Sequence, residues 1–189
     1  MAARKKAKKP TRASAKTPRK KAVKKSATRR AKVNPLAKGM HTVTPYLCFQ
    51  DAAFAMAFYE AAFGAKEIYR LMDAGNKIGH AEMRIGDSVV MCSDEFENMS
   101  VSAKTLNGSP VKLSIMVKNP DAFMQKALAA GATMVRPMAD QFYGWRSGVV
   151  MDPFGYSWFI GAQIEVVSPR EMQKRMDKFI AAHKTEGAA

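Results

Sequence analysis

One order of segments occurs twice in this chain. Val43 to Phe49 (VTPYLCF) is a β-branched and aromatic run, followed by Asp51 and the stretch DAAFAMAFYEAAFGAKE. Helical spacing puts Phe54, Phe58, Ala61 and Ala62 on one face, with Asp51 placed to cap the start and Gly64 to end the helix. Val111 to Val117 (VKLSIMV) opens the second copy. Asn119 is its cap, Pro120 suits the first helical position, Phe123, Ala127 and Leu128 form the apolar face, and Gly131 ends the helix.

Each copy continues with three more strands. In the first they are Glu67–Leu71, Ile78–Ile85 and Ser88–Ser93, with Gly86-Asp87 as the tight turn between the last two. In the second they are Met134–Pro137, Arg146–Met151 and Tyr156–Ala162, turned by Asp152-Pro153-Phe154-Gly155. The unit is therefore βαβββ, about seventy residues long, too long for a solenoid repeat and suited to two halves of one domain. The expected fold is α+β: two such modules, with their helices outside, forming a curled mixed sheet around a cleft. A last helix follows, from Ser168 to His183, and then a frayed end. The expected division is a tail over 1–40, a domain over 41–168, and a C-terminal helix with its end over 169–189.

Charge separates the tail from the rest. The first forty residues carry sixteen Lys or Arg and no Asp or Glu, whereas the remainder carries fifteen basic and sixteen acidic side chains. The tail has no aromatic residue and is interrupted by Pro10, Pro18 and Pro35, so it cannot bury enough to offset its ordering entropy and is expected to be disordered. Its Lys/Ala/Pro-rich composition resembles histone-like tails, without a positional motif. Lys5, Lys6, Lys8, Lys9, Arg19, Lys20, Lys21, Lys24, Lys25, Arg29 and Arg30 are the expected contacts to nucleic acid or another polyanion, through counterion release that reads no sequence. A solubility tail or a targeting peptide is the alternative, although a transit peptide is usually Arg-rich and amphipathic.

No apolar run is long enough to span a membrane and no secretory signal is evident, so a cytoplasmic, nucleoid-associated location and no membrane partner are expected. Cys48 and Cys92 fit neither a CxxC pair nor a zinc knuckle and read as buried reduced thiols.

The segments FYEAAFGAKE (58–67), HAEMRIGDSVVM (80–91), FYGWRSG (142–148) and DPFGYSW (152–158) together resemble the PhnB-like branch of the vicinal oxygen chelate superfamily, which includes glyoxalase I, extradiol dioxygenases and bleomycin-resistance proteins. The resemblance spans roughly residues 41–175. It implies a glyoxalase-like fold and a homodimer. It also implies that metal-dependent members would hold a divalent ion at the positions here occupied by Thr44, about Met91, Lys112 and Phe159. None of these is a usual ligand, so no metal and no cofactor are expected, and standard metal-dependent glyoxalase or dioxygenase activity is not.

Other residues can supply a site. His80 and Glu82 share a strand face as an acid–base pair or as a hydrogen-bonded pair at the sheet rim. Arg146 offers a planar fork for an anionic group, or an ion pair holding its hairpin. Tyr46, Trp145 and Trp158 can line an apolar cleft or be plain core. The resulting reading is a small-molecule-binding module with a polyanion-binding tail. An enzyme using His80, Glu82 and Arg146, and a nucleoid-associated protein whose body only dimerises, are the alternatives.

Overall fold

The computed structural model describes Asn34, Pro35, Ala37 and residues 39–184. The eleven basic residues named above lie outside that set, and so does the expected disorder of the tail.

Both copies fold as the repeat requires. The first consists of β1 (Tyr46–Phe49), α1 (Ala52–Phe63), β2 (Lys66–Met72), β3 (Ile78–Ile85) and β4 (Ser88–Asp94). The second consists of β5 (Lys112–Met116), α2 (Pro120–Ala129), β6 (Thr133–Gln141), β7 (Trp145–Met151) and β8 (Ser157–Gln163), and α3 (Pro169–Lys184) closes the described chain. Each makes one mixed four-stranded sheet, in the orders β1-β4-β3-β2 and β5-β8-β7-β6, with only the first pair of each parallel. A parallel first pair needs a crossover, and each helix supplies it.

The caps behave as their residues dictate. Asp51 accepts from the Phe54 N–H at 2.8 Å and Asn119 from the Ala122 N–H at 3.1 Å. Gly64 sits at φ 68° and ends α1 with its N–H on the Glu60 carbonyl. The buried face of α1 is rotated from the expected one. Ala55, Phe58, Tyr59, Ala62 and Phe63 go inward, whereas Phe54 is 60% exposed. An all-apolar helix gives periodicity little to discriminate, so its partners fix the face.

Those partners include the other helix. α1 packs on α2 as well as on its own sheet, and the Phe63 and Phe123 rings stack at 5.8 Å. The buried faces of both helices thus join the strands in a common core. Tyr156 also ties the halves together: its hydroxyl donates to the Cys48 carbonyl at 3.0 Å and accepts from the Cys48 N–H at 3.2 Å, satisfying backbone groups of the edge strand β1. Both cysteines are buried and free, and burial pushes the Cys92 thiol up to about 12.

Candidate functional site

Alternation along β3 sends Ala81, Met83 and Ile85 into the core and leaves His80 and Glu82 on the opposite face. Neighbouring strands add two tyrosines there. The Tyr46 hydroxyl, from β1, lies 3.2 Å from His80 Nδ1, and the Tyr69 hydroxyl, from β2, donates to Glu82 Oε1 at 2.8 Å. His80 Nε2 stands 3.6 Å from the same Glu82 oxygen, and both tyrosine rings lie 5.7 Å from the imidazole. Phenol, imidazole, carboxylate and phenol thus form one line across the sheet. The bond to Glu82 holds the Tyr69 phenol above its ordinary range. Such a line can position a polar ligand or pass a proton through imidazole. The spacing of His80 and Glu82 was legible in sequence, but Tyr69 was missed, because only the β2–β3 register brings it opposite Glu82.

A cavity lies elsewhere, at the seam between the halves. It measures about 670 Å³ and is bounded by the β3–β4 turn, by β5, by the stacked Phe63 and Phe123, and by Trp158 tilted against Phe63. Val89, Val90, Leu113, Ile115 and Val117 make its walls largely apolar, and His41, Asp87, Ser88 and Ser114 add polar groups. The duplication explains why it is there. The β1–β4 and β5–β8 registers set Ser88 where the second copy has Tyr156, and the β3–β4 turn closes on Gly86 and Asp87 alone where the longer β7–β8 turn carries Phe154. The Phe154 ring packs at 5.3 Å from Phe49 and 5.7 Å from Phe58, and Tyr156 lines a counterpart hollow of only about 360 Å³. Glycine and serine have nothing to fill the corresponding space.

The remaining predicted residues are not gathered there. Trp158 borders the cavity but is 98% buried; its Nε1 donates to Asp152 Oδ2 at 2.8 Å, and its ring lies 4.8 Å from Phe63. Arg146 is held by Asp121 and Asp140, with Nε to Asp121 at 2.7 Å and Nη1 to Asp140 at 2.8 Å, which is the ion-pair alternative and leaves the fork engaged. Trp145 is half-buried and packs edge-on to Phe159 at 6.5 Å. Sequence reasoning also passed over Arg136, which carries no carboxylate partner among the described residues. Its pairing state could not be read from spacing.

The family model for the glyoxalase/bleomycin resistance protein/dioxygenase superfamily matches residues 39–160. The chain belongs to this superfamily. An uncharacterized protein of Mycobacterium tuberculosis strain H37Rv is 40% identical over 138 residues, covering 71% of this chain and 81% of its own. Among solved structures, TioX from Micromonospora sp. ML1 is 26% identical with a TM-score of 0.51, covering 64% of this chain and 97% of its own. The PhnB protein from Bacillus cereus, 17% identical with a TM-score of 0.52 over 65% of this chain and 99% of its own, shares the fold.

The metal positions implied by the superfamily can be tested on the residues present. Thr44 precedes β1 and donates to the His41 carbonyl at 3.1 Å; Met91, Lys112 and Phe159 lie on β4, β5 and β8. The strand pairs themselves put Tyr46 opposite Met91 and Ser114 opposite Phe159. Neither set offers imidazole or carboxylate, and an ammonium among them repels a cation. Among the described residues no three His, Cys, Asp or Glu side chains converge, so His80 and Glu82 remain two ligands without a third. These residues do not fit a resident divalent ion.

Proposed function

We propose that this superfamily member is a small-molecule-binding module that works without a resident metal. The observation that carries the reading is the seam cavity. Its volume of about 670 Å³ lies in the range of small-ligand sites, its walls are mostly apolar, and a few polar groups are available to orient a ligand. Phe63, Phe123 and Trp158 favour a ligand with a flat apolar part.

The partner readings remain part of the proposal. A homodimer is supported by Tyr69, Leu71 and Met72 on β2 and by Met134 and Val135 on β6, which are exposed on or beside outer strands. The sixteen charges of the first forty residues support polyanion binding, and hence a cytoplasmic and nucleoid-associated location. No helix among the described residues is long and apolar enough to cross a membrane.

The test combines elemental analysis of tag-free, dialysed protein with thermal-shift screening of small organic molecules. We expect substoichiometric metal and at least one stabilising compound. A transition metal retained at one per chain overturns the metal-free reading. A second reading, that the module is catalytic, is favoured by the line Tyr46–His80–Glu82–Tyr69. There His80 acts as the base and Glu82 orients it. It requires that His80→Ala abolish turnover of any substrate found while leaving binding in the cavity intact.

A further inference from the structure

We propose that the second sheet carries an oxyanion site centred on Arg136, which takes the carboxylate of a small organic acid. The site stands apart from the seam cavity and from the His80 line and needs neither.

The backbone singles out this arginine first. Arg136 lies on β6 opposite Val149, with breaks in the ladder on both sides of it, between Met134 and Arg136 and again between Arg136 and Ala139. Such bulges re-aim a side chain that a regular strand would place elsewhere. The guanidinium is carried over the Phe159 ring, with its carbon 5.8 Å from the ring centroid. The ring lies there because position 161 is glycine; a Cβ on Gly161 would stand 2.7 Å from the edge of Phe159.

The hydrogen bonds then define what is missing. Arg136 Nη2 donates to Ser147 Oγ at 3.1 Å, and its Nε is buried with no acceptor among the described residues. Ser147 is fully buried and shares a hydrogen bond of 3.2 Å with the Tyr143 hydroxyl. If Tyr143 donates in that pair, the buried Ser147 hydroxyl keeps a proton with no acceptor among the described residues; if Ser147 donates, the half-buried Tyr143 hydroxyl keeps its proton for water or a ligand. Arg136, Ser147 and Tyr143 thus form a group with donors in excess and a full positive charge. Arg84 on β3 also lacks a carboxylate partner among the described residues, but three other arginines behave differently: Arg146 is held by Asp121 and Asp140, Arg175 by Glu165 and Glu171, and Arg70 by Glu67. Arg136 has a neutral hydroxyl where these have carboxylates. A donor set of this kind is completed by an oxyanion, and a carboxylate matches the planar fork. Phe159, with Trp145 edge-on beside it, supplies an apolar surface for the body of the acid.

Benzoate is the probe and benzamide its uncharged counterpart, each titrated into the full chain by calorimetry. We expect saturable benzoate binding up to about 10 mM, where a site with a Kd of ~1 mM fills, and benzamide binding at least about tenfold weaker. Arg136→Met should weaken benzoate at least about tenfold and Ser147→Ala a few-fold. Benzoate gathered by the basic tail is insensitive to both changes, so binding unchanged in Arg136→Met overturns the proposal. Equal binding of benzamide, or no saturable benzoate binding to the wild type, overturns it as well. If Arg136→Met does not fold, Arg136→Lys and Tyr143→Phe carry the test, and the proposal falls if both bind benzoate as the wild type does.

Discussion

Asp152 lies 3% exposed, and among the described residues no cation pairs with it, yet its carboxylate is fully engaged. Oδ2 accepts from the Tyr59 hydroxyl at 2.6 Å and from Trp158 Nε1 at 2.8 Å, and Oδ1 accepts from the backbone N–H groups of Phe154 and Tyr156 at 2.9 Å each. Four donors explain why an acidic residue belongs in this turn. Asp152→Asn puts an amide NH2 against two of them. We expect a loss of about 2–4 kcal/mol in urea unfolding, and a change below ~0.5 kcal/mol would contradict the role. Cys92 gives a pH prediction with a definite sign. Its folded pKa, about 12, lies above the ordinary 9.0, so the native state keeps a proton that the unfolded chain releases. Its contribution is whole below pH 9 and is lost as pH rises toward 12. At about 1.4 kcal/mol for each pH unit separating the folded and unfolded values, the full loss is at most about 4 kcal/mol. Burial raises the Tyr59 phenol in the same sense. The urea midpoint should fall over that interval, and the fall should be shallower in Cys92→Ala.

The element that shapes the seam cavity is a turn. Gly86 holds φ 60° in the β3–β4 turn and Gly155 φ 95° in the β7–β8 turn, so both copies bend at glycine. They differ in what the surrounding residues fill. Ser88→Tyr moves the Tyr156 side chain across the duplication into the seam cavity. An apolar fluorescent probe such as anilinonaphthalene sulfonate should then bind at least about tenfold more weakly, a difference of about 1.4 kcal/mol. Unchanged probe binding in a folded variant would mean that the cavity is not the binding site. The repeat, both caps and the Gly86-Asp87 turn were legible in sequence because they rest on local backbone preferences. The inward face of α1 was not, because Phe54 and Phe58 are equally apolar and only packing against β1, β3 and α2 separates them.

For the whole molecule, the uneven charge leads to a measurement of its own. If about half of the sixteen basic groups meet phosphates, DNA affinity should fall with salt at a log–log slope of roughly −7. Deleting residues 1–35 should remove that binding while leaving the thermal unfolding of the remainder in place. DNA binding retained by the deleted form would assign it to the folded body, whose charges nearly balance. Light scattering of the same two proteins reads the expected dimer directly, and a monomer in both would exclude it.

The sequence alone determined the duplicated βαβββ plan, the alternation that sets His80 beside Glu82, and the absence of imidazole and carboxylate at the positions implied for a metal. These are matters of residue type and short spacing, which the chain carries before it folds. Only the tertiary structure decided that Tyr69 joins Glu82, that Arg146 is held by Asp121 and Asp140 while Arg136 is left to Ser147, and that a cavity opens at the seam. Each depends on side chains brought together from distant strands. Neither the register of one strand on another nor the volume left between two packed halves is written in any one segment.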